Sequence, residues 1–82
     1  MQTVVLENPI LRATVSSLGG ELQSLVRKSD EKEYLWQGDP AYWTGRAFNL
    51  FPICGRLFGG EYTYRGKTYR MNLHGFARAS VF

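Results

Sequence analysis

The sequence predicts an all-β, antiparallel chain, and three observations predict it. Aromatic residues make up 15% of the chain and glycines number 9. That mixture suits short strands and tight turns, because aromatics fill half-buried pleated surfaces and glycine supplies positive φ. Several segments alternate apolar and polar residues at period two, and turn pairs punctuate them at short intervals. No pattern supports a helix longer than two turns, and there is no internal repeat.

Taken in order, Thr3 to Glu7 is a β-branched strand that ends at the turn pair Asn8-Pro9. Leu11, Ala13 and Val15 then alternate with Arg12, Thr14 and Ser16, and Leu18-Gly19-Gly20 breaks that second strand. Glu21 to Val26 resumes with Leu22, Leu25 and Val26 as apolar anchors; the same spacing fits a helical turn, but strand is the preferred reading. Arg27 to Glu33 has the turn chemistry of a hairpin loop, after which Tyr34-Leu35-Trp36 returns. From Gln37 to Gly55 the pattern is irregular, with two prolines and the aromatics Tyr42, Trp43, Phe48 and Phe51. It reads as a long ordered loop whose rings pack on the sheet face, since loops of this length without regular structure are usually functional or linkers. Glu61 to Tyr64 and Thr68 to Met71 flank Arg65-Gly66-Lys67, the clearest hairpin in the chain.

Length and composition bound the function. A chain of 82 residues holds one small domain with a thin core. The single Cys54 cannot form an internal disulfide, and no leader-like segment opens the chain, so a reducing, cytoplasmic setting is expected. No stretch reaches the roughly 20 apolar residues of a membrane span. Residues 1 to 40 balance Arg12, Arg27, Lys28 and Lys32 against six acids, whereas residues 41 to 82 set six cations against Glu61 alone. A positive field over the second half follows, although scattered cations also make an ordinary solvated face.

Most catalytic constellations are excluded. One His and one Cys cannot build a structural zinc site, so no metal is expected. Gly59-Gly60 lacks the spacing and the Lys-Ser/Thr of a phosphate loop. A Cys54–His74 nucleophile pair is outweighed by a small buried thiol in the apolar segment Leu50 to Cys54. The stretch TYRGKTYR interleaves tyrosines with cations as nucleic-acid-binding sheets do, but no further signature accompanies it and no nucleic-acid partner is expected. Arg56, in FPICGRLFGG, projects a five-donor fork from a held backbone and could instead pair with Glu61. His74 alone reads equally as a hydrogen-bonded turn residue. Together with Asn72 and Arg78, these donors near tyrosines and tryptophans are the equipment of a sugar pocket, where rings stack on apolar faces and directional groups hold hydroxyls.

At three places the chain resembles the N-terminal portion of the aldose 1-epimerase, or galactose mutarotase-like, family: EYLWQGDPAYW at Glu33 to Trp43, LFPICGRLFGGEYTYRGKTY at Leu50 to Tyr69, and NLHGFAR at Asn72 to Arg78. The resemblance implies that residues 1–82 form the N-terminal part of a single antiparallel β-sandwich (supersandwich) domain that binds its sugar in a cleft. It also implies a cofactor-free isomerase, in which a glutamate takes the anomeric proton and a histidine protonates the ring oxygen, so that the ring opens and recloses as the other anomer. On this resemblance Arg56 holds sugar hydroxyls, and His74, the catalytic candidate, contacts the sugar near its ring oxygen and helps polarise it; Asn72 and Arg78 stand beside them as substrate-binding candidates from the donor cluster itself. The family's later acid histidine and base glutamate have no counterpart here. The chain therefore reads as a fragment, inactive alone and prone to self-association through exposed strand edges.

Typical galactose mutarotases follow the histidine with two glycines, whereas Gly75-Phe76-Ala77-Arg78 follows here. This resembles the branch that includes hexose-6-phosphate epimerases, and an arginine at this point suits a phosphate. A hexose and a hexose phosphate both stand as ligands, and a non-catalytic carbohydrate-binding or structural β module stands as the alternative function. If the hairpin forms, Arg56 and His74 fall at its open end and are expected to face one concave surface. Arg78 should stand at its margin, with an aromatic from Tyr34 to Trp43 beneath.

Overall fold

The computed structural model describes residues 2–82, and every strand pair in it is antiparallel. Four strands form a meander in chain order: β1 (Thr3–Glu7), β2 (Leu11–Ser16), β3 (Leu22–Arg27) and β4 (Lys32–Glu33). A separate hairpin pairs β5 (Glu61–Tyr64) with β6 (Lys67–Arg70). The only helical turns described are two short 3-10 segments, Phe58–Gly60 and Ala77–Ala79. The all-β, antiparallel fold class is therefore as the sequence predicts.

Side-chain chemistry closes each turn of the meander. The Asn8 carboxamide oxygen accepts the N–H groups of Ile10 and Leu11, both at 2.8 Å, so the chain reverses without leaving donors idle. Gly19 and Gly20 both adopt positive φ, 72° and 58°, at the β2–β3 reversal, a conformation costly for side-chain-bearing residues. At the third turn the Asp30 carboxylate accepts from Arg27 and from the Lys32 N–H.

Within β2–β3 the register slips: Thr14 faces Ser24, but Val15 faces Leu22. Gln23 is the extra residue of this bulge. Its carbonyl accepts Arg46 Nη1 at 2.8 Å and Gln37 Nε2 at 3.0 Å. A local irregularity in the ladder thus becomes an anchor for the long loop.

Three local boundaries differ from the sequence reading. The third strand begins at Leu22, because the Glu21 carboxylate turns away to accept the N–H groups of Arg46 and Ala47. The return strand is Lys32–Glu33 and not Tyr34–Trp36: the Tyr34 N–H still donates to the Leu25 carbonyl, but the Glu33 carboxylate takes the Leu25 and Leu35 N–H groups, so a side chain replaces one rung of the ladder there. The hairpin loop holds two residues, with Lys67 inside β6. Arg65 and Gly66 both have positive φ, 51° and 78°, as a two-residue type I′ connection requires.

The segment from Gln37 to Leu50 has no regular structure, as expected, and its rings pair with one another. Trp36 meets Tyr42, and Trp43 meets Phe48, each edge to face, and Tyr42 remains 80% exposed. Polar bonds to β3 and to the Gly19-Gly20 turn hold the loop, including Asn49 Nδ2 to both glycine carbonyls. The end of the chain packs on that turn as well, through Gly19 N–H to the Ser80 carbonyl and Phe82 N–H to the Ser17 carbonyl.

Little apolar surface is enclosed. Val26 and Ala77 are the buried hydrophobic residues among those described. The radius of gyration is 16.6 Å, against about 12 Å for a compact domain of this length. The two sheets lie along an extended body of 56 × 28 × 19 Å and leave apolar faces uncovered, as a portion of a larger layered fold would.

Candidate functional site

The hairpin brings two distant segments together, and Gly55 and His74 make the junction. The His74 N–H donates to the Gly55 carbonyl at 2.8 Å. In return the Gly55 N–H donates to the Nδ1 of His74, also at 2.8 Å. A further rung, Met71 N–H to the Gly60 carbonyl at 3.0 Å, holds the same two segments nearer the hairpin. The glycine-arginine and asparagine-histidine motifs are thereby adjacent in space although 19 residues separate Gly55 from His74.

The turn carrying the histidine is tight and left-handed. Gly75 N–H bonds to the Asn72 carbonyl, and His74 and Gly75 have φ of 62° and 71°. A non-glycine residue at positive φ is uncommon, though histidine is among those enriched there, and such backbone strain clusters at functional sites. Gly75 itself cannot be larger: a Cβ there would sit 2.2 Å from the Phe51 carbonyl oxygen. That oxygen accepts the N–H groups of Phe76 and Ala77, which clamps the turn against the loop.

Beside this junction lies a cavity of 330 Å³ lined by Arg56, Leu57, Gly59, Gly60, Arg70, Met71 and Asn72. Its volume falls at the small end of the range for ligand sites. Two guanidinium groups give it positive character. Glu61 pairs with Arg70 at 3.4 Å, so Arg56 does not take the Glu61 partnership that its sequence context allowed. Among the described residues no carboxylate lies within ion-pair distance of Arg56.

The structure thus brings Arg56 and Asn72 to one cavity and fixes His74 next to Arg56 through Gly55. His74 does not line that cavity. Arg78 stands elsewhere, its guanidinium 5.6 Å from the centre of the Phe48 ring. No aromatic from Tyr34 to Trp43 lies beneath the cavity, because the bonds at Gln23 and Glu21 hold that loop against the meander. Cys54 is exposed, not buried as expected, since the strands in this chain enclose so little. The Nδ1 lone pair of His74 is occupied by Gly55, which leaves it unavailable to the thiol. Among the described residues no three His, Cys, Asp or Glu side chains are grouped to hold a metal, and no helix is long and apolar enough to cross a membrane.

Sequence reasoning missed Arg70 and the Gly55 N–H. Arg70 was legible in principle: counting back from a two-residue turn places it opposite Glu61, at the mouth of the hairpin. The Gly55 bond had no sequence signal, since a backbone donor carries none.

The class of protein follows from this frame and these motifs together with a match of residues 2–82 to the profile of the aldose 1-epimerase family; the chain belongs to that family. It is 42% identical over 85 residues to protein LacX of Lactococcus lactis subsp. lactis, covering 98% of this chain and 28% of that protein. It superposes with a TM-score of 0.91 on a galactose mutarotase-like protein from Lactobacillus casei, at 42% identity, over 99% of this chain and 28% of the other. A galactose mutarotase related enzyme from Lactobacillus acidophilus gives a TM-score of 0.89 at 42% identity, again over 99% of this chain and 27% of that one. The chain therefore spans little more than a quarter of the length of these relatives.

Proposed function

We propose that residues 1–82 supply the sugar-holding side of an aldose 1-epimerase site, and that the whole protein interconverts the α and β anomers of a hexose by acid and base ring opening. The observation that carries this reading is the reciprocal Gly55–His74 pairing. It sets the two family motifs side by side, with Arg56 and Asn72 on one cavity. Arg56 and Asn72 grip hydroxyls, and His74 approaches the sugar near its ring oxygen. Proton transfer to and from the anomeric hydroxyl falls to groups outside these residues: positioned acids and bases contribute about 10² to 10⁴ in rate, among the described residues no carboxylate lines the cavity, and Glu61 is engaged by Arg70.

A hexose phosphate is the second ligand that an observation favours. Arg56 and Arg70 share the cavity, and paired guanidinium groups suit a phosphate through bidentate, charge-assisted bonds. Arg78, held over Phe48, is a further cation for such a group outside this cavity.

Polarimetry on freshly dissolved α-D-glucose, α-D-galactose and their 6-phosphates tests the reading. The whole protein accelerates the approach to anomeric equilibrium, and residues 1–82 alone do not. Sugar binding without acceleration by the whole protein would select a non-catalytic carbohydrate-binding module instead. A preference for the phosphates that Arg70→Ala removes identifies the anionic substrate.

A further inference from the structure

We infer that Phe58 is a sugar-binding residue: its ring, on the turn at the rim of the Arg56–Asn72 cavity, packs against the C–H face of the hexose whose hydroxyls those two side chains hold. This rests on the sugar-site reading above and adds an aromatic contact that none of the residues lining the cavity supplies.

Phe58 is 101% exposed, whereas the other phenylalanines all find apolar company. Phe48 meets Trp43 and Phe51 meets Phe76, each edge to face, and Phe82 lines an apolar cavity together with Phe51 and Phe76. Single exposed apolar side chains are ordinary; the placement of this one is not. Leu57 and Gly59, its neighbours on either side, both line the cavity that holds Arg56 and Asn72.

The backbone of Phe58 is held although its side chain is not. The Gly60 N–H closes the turn on the Leu57 carbonyl at 2.9 Å, and the Gly60 carbonyl accepts the Met71 N–H at 3.0 Å. Leu57, Gly60 and Met71 all line the cavity, so the apex of the turn is tied to its walls. Gly59 and Gly60 adopt positive φ, 67° and 71°, and even a Cβ on Gly59 would meet nothing within 4 Å, which leaves open space beside the ring. Guanidinium and carboxamide groups hold hydroxyls but leave the C–H groups of a pyranose uncovered. Those C–H groups carry partial positive charge and suit the negative face of an aromatic ring, and small-molecule sites combine such apolar contacts with a few directional groups. No aromatic side chain lines the cavity itself, so Phe58 is the ring that the turn presents beside it.

Titration calorimetry of the whole protein with D-glucose and D-galactose tests this. Phe58→Ala should weaken binding of the preferred hexose about tenfold, which is ~1.4 kcal/mol and about half of the most that complete burial of a phenylalanine is worth, because a sugar covers one of the ring's two faces. Tyr42→Ala, which removes the next most exposed ring at 80% from the loop held on the meander, should leave affinity within about twofold. Urea unfolding of Phe58→Ala without sugar should keep its midpoint, since the ring has no packing to lose. A hexose affinity unchanged by Phe58→Ala overturns the inference, and so does an equal loss in Tyr42→Ala. A lowered urea midpoint also overturns it, by showing that the rest of the protein covers the ring. An unmodified whole protein that binds neither hexose would instead sink the sugar-site reading, and this inference with it.

Discussion

Gly75→Ala should be the most damaging small substitution in this chain, and its cost can be worked from two separate causes. The first is conformational: at φ of 71° a side-chain-bearing residue costs roughly 1–2 kcal/mol. The second is steric. The new Cβ would stand 2.2 Å from the Phe51 oxygen and 2.6 Å from the Phe51 carbonyl carbon, both backbone atoms, so no rotamer change relieves the clash. Overpacking of this kind adds about 1–3 kcal/mol, for a total of about 2–5 kcal/mol. Gly66→Ala supplies the control. Its φ is 78°, and an added Cβ would meet nothing within 4 Å, so it should cost only the conformational part. Urea unfolding of the protein followed by circular dichroism gives both values. Equal losses for the two variants would refute the packing of Phe51 beneath the histidine turn. Because Gly75 adjoins His74, the same substitution should weaken sugar binding more than Gly66→Ala does.

The remaining predictions concern acid and association. Burial pulls the Glu33 carboxyl up, but the bonds from the Ser24 hydroxyl and from the Leu25 and Leu35 N–H groups outweigh it and hold the group below its ordinary value. A lowered carboxyl contributes stability that is present above the unfolded value, about 4.3, and is lost as pH falls through the folded one; Glu33→Gln should flatten stability in that window, and an unchanged acid profile would contradict it. The isolated chain should self-associate, since β1 is an exposed edge strand bearing Val4, Val5 and Leu6 at 58, 50 and 61% exposure, and unpaired edges template pairing with another chain. Sedimentation should show species larger than the monomer, and a sharp monomer peak would be the opposing result.

The meander was legible because its signals are local. Alternation in Leu11–Ser16, the Asn8-Pro9 turn and the Gly19-Gly20 break each act within a few residues. Boundaries set by side chains were not legible in the same way. Glu21 and Glu33 read as strand-end or loop acids, and only the fold shows that their carboxylates take backbone N–H groups and so end the ladder. The site divides along the same line. The hairpin register implied that Arg56 and His74 would face one concave surface; their segments do meet, through Gly55, but the cavity there is lined by Arg56 and Asn72 and not by His74. The aromatic floor did not materialise because the bulge at Gln23, which leaves no trace in the residue types, anchors the long loop on the meander.

Hexose affinity of the whole protein, measured by titration calorimetry for the unmodified form and for Arg56→Ala, tests the central claim most directly. Arg56 lines the cavity, and among the described residues no carboxylate pairs with it, so its donors are open to sugar oxygens. Hydrogen bonds to a charged group are worth about 1.5–3 kcal/mol, and Arg56→Ala should weaken binding by about 10- to 100-fold. An affinity unchanged within about twofold would show that the sugar does not bind where these two motifs meet.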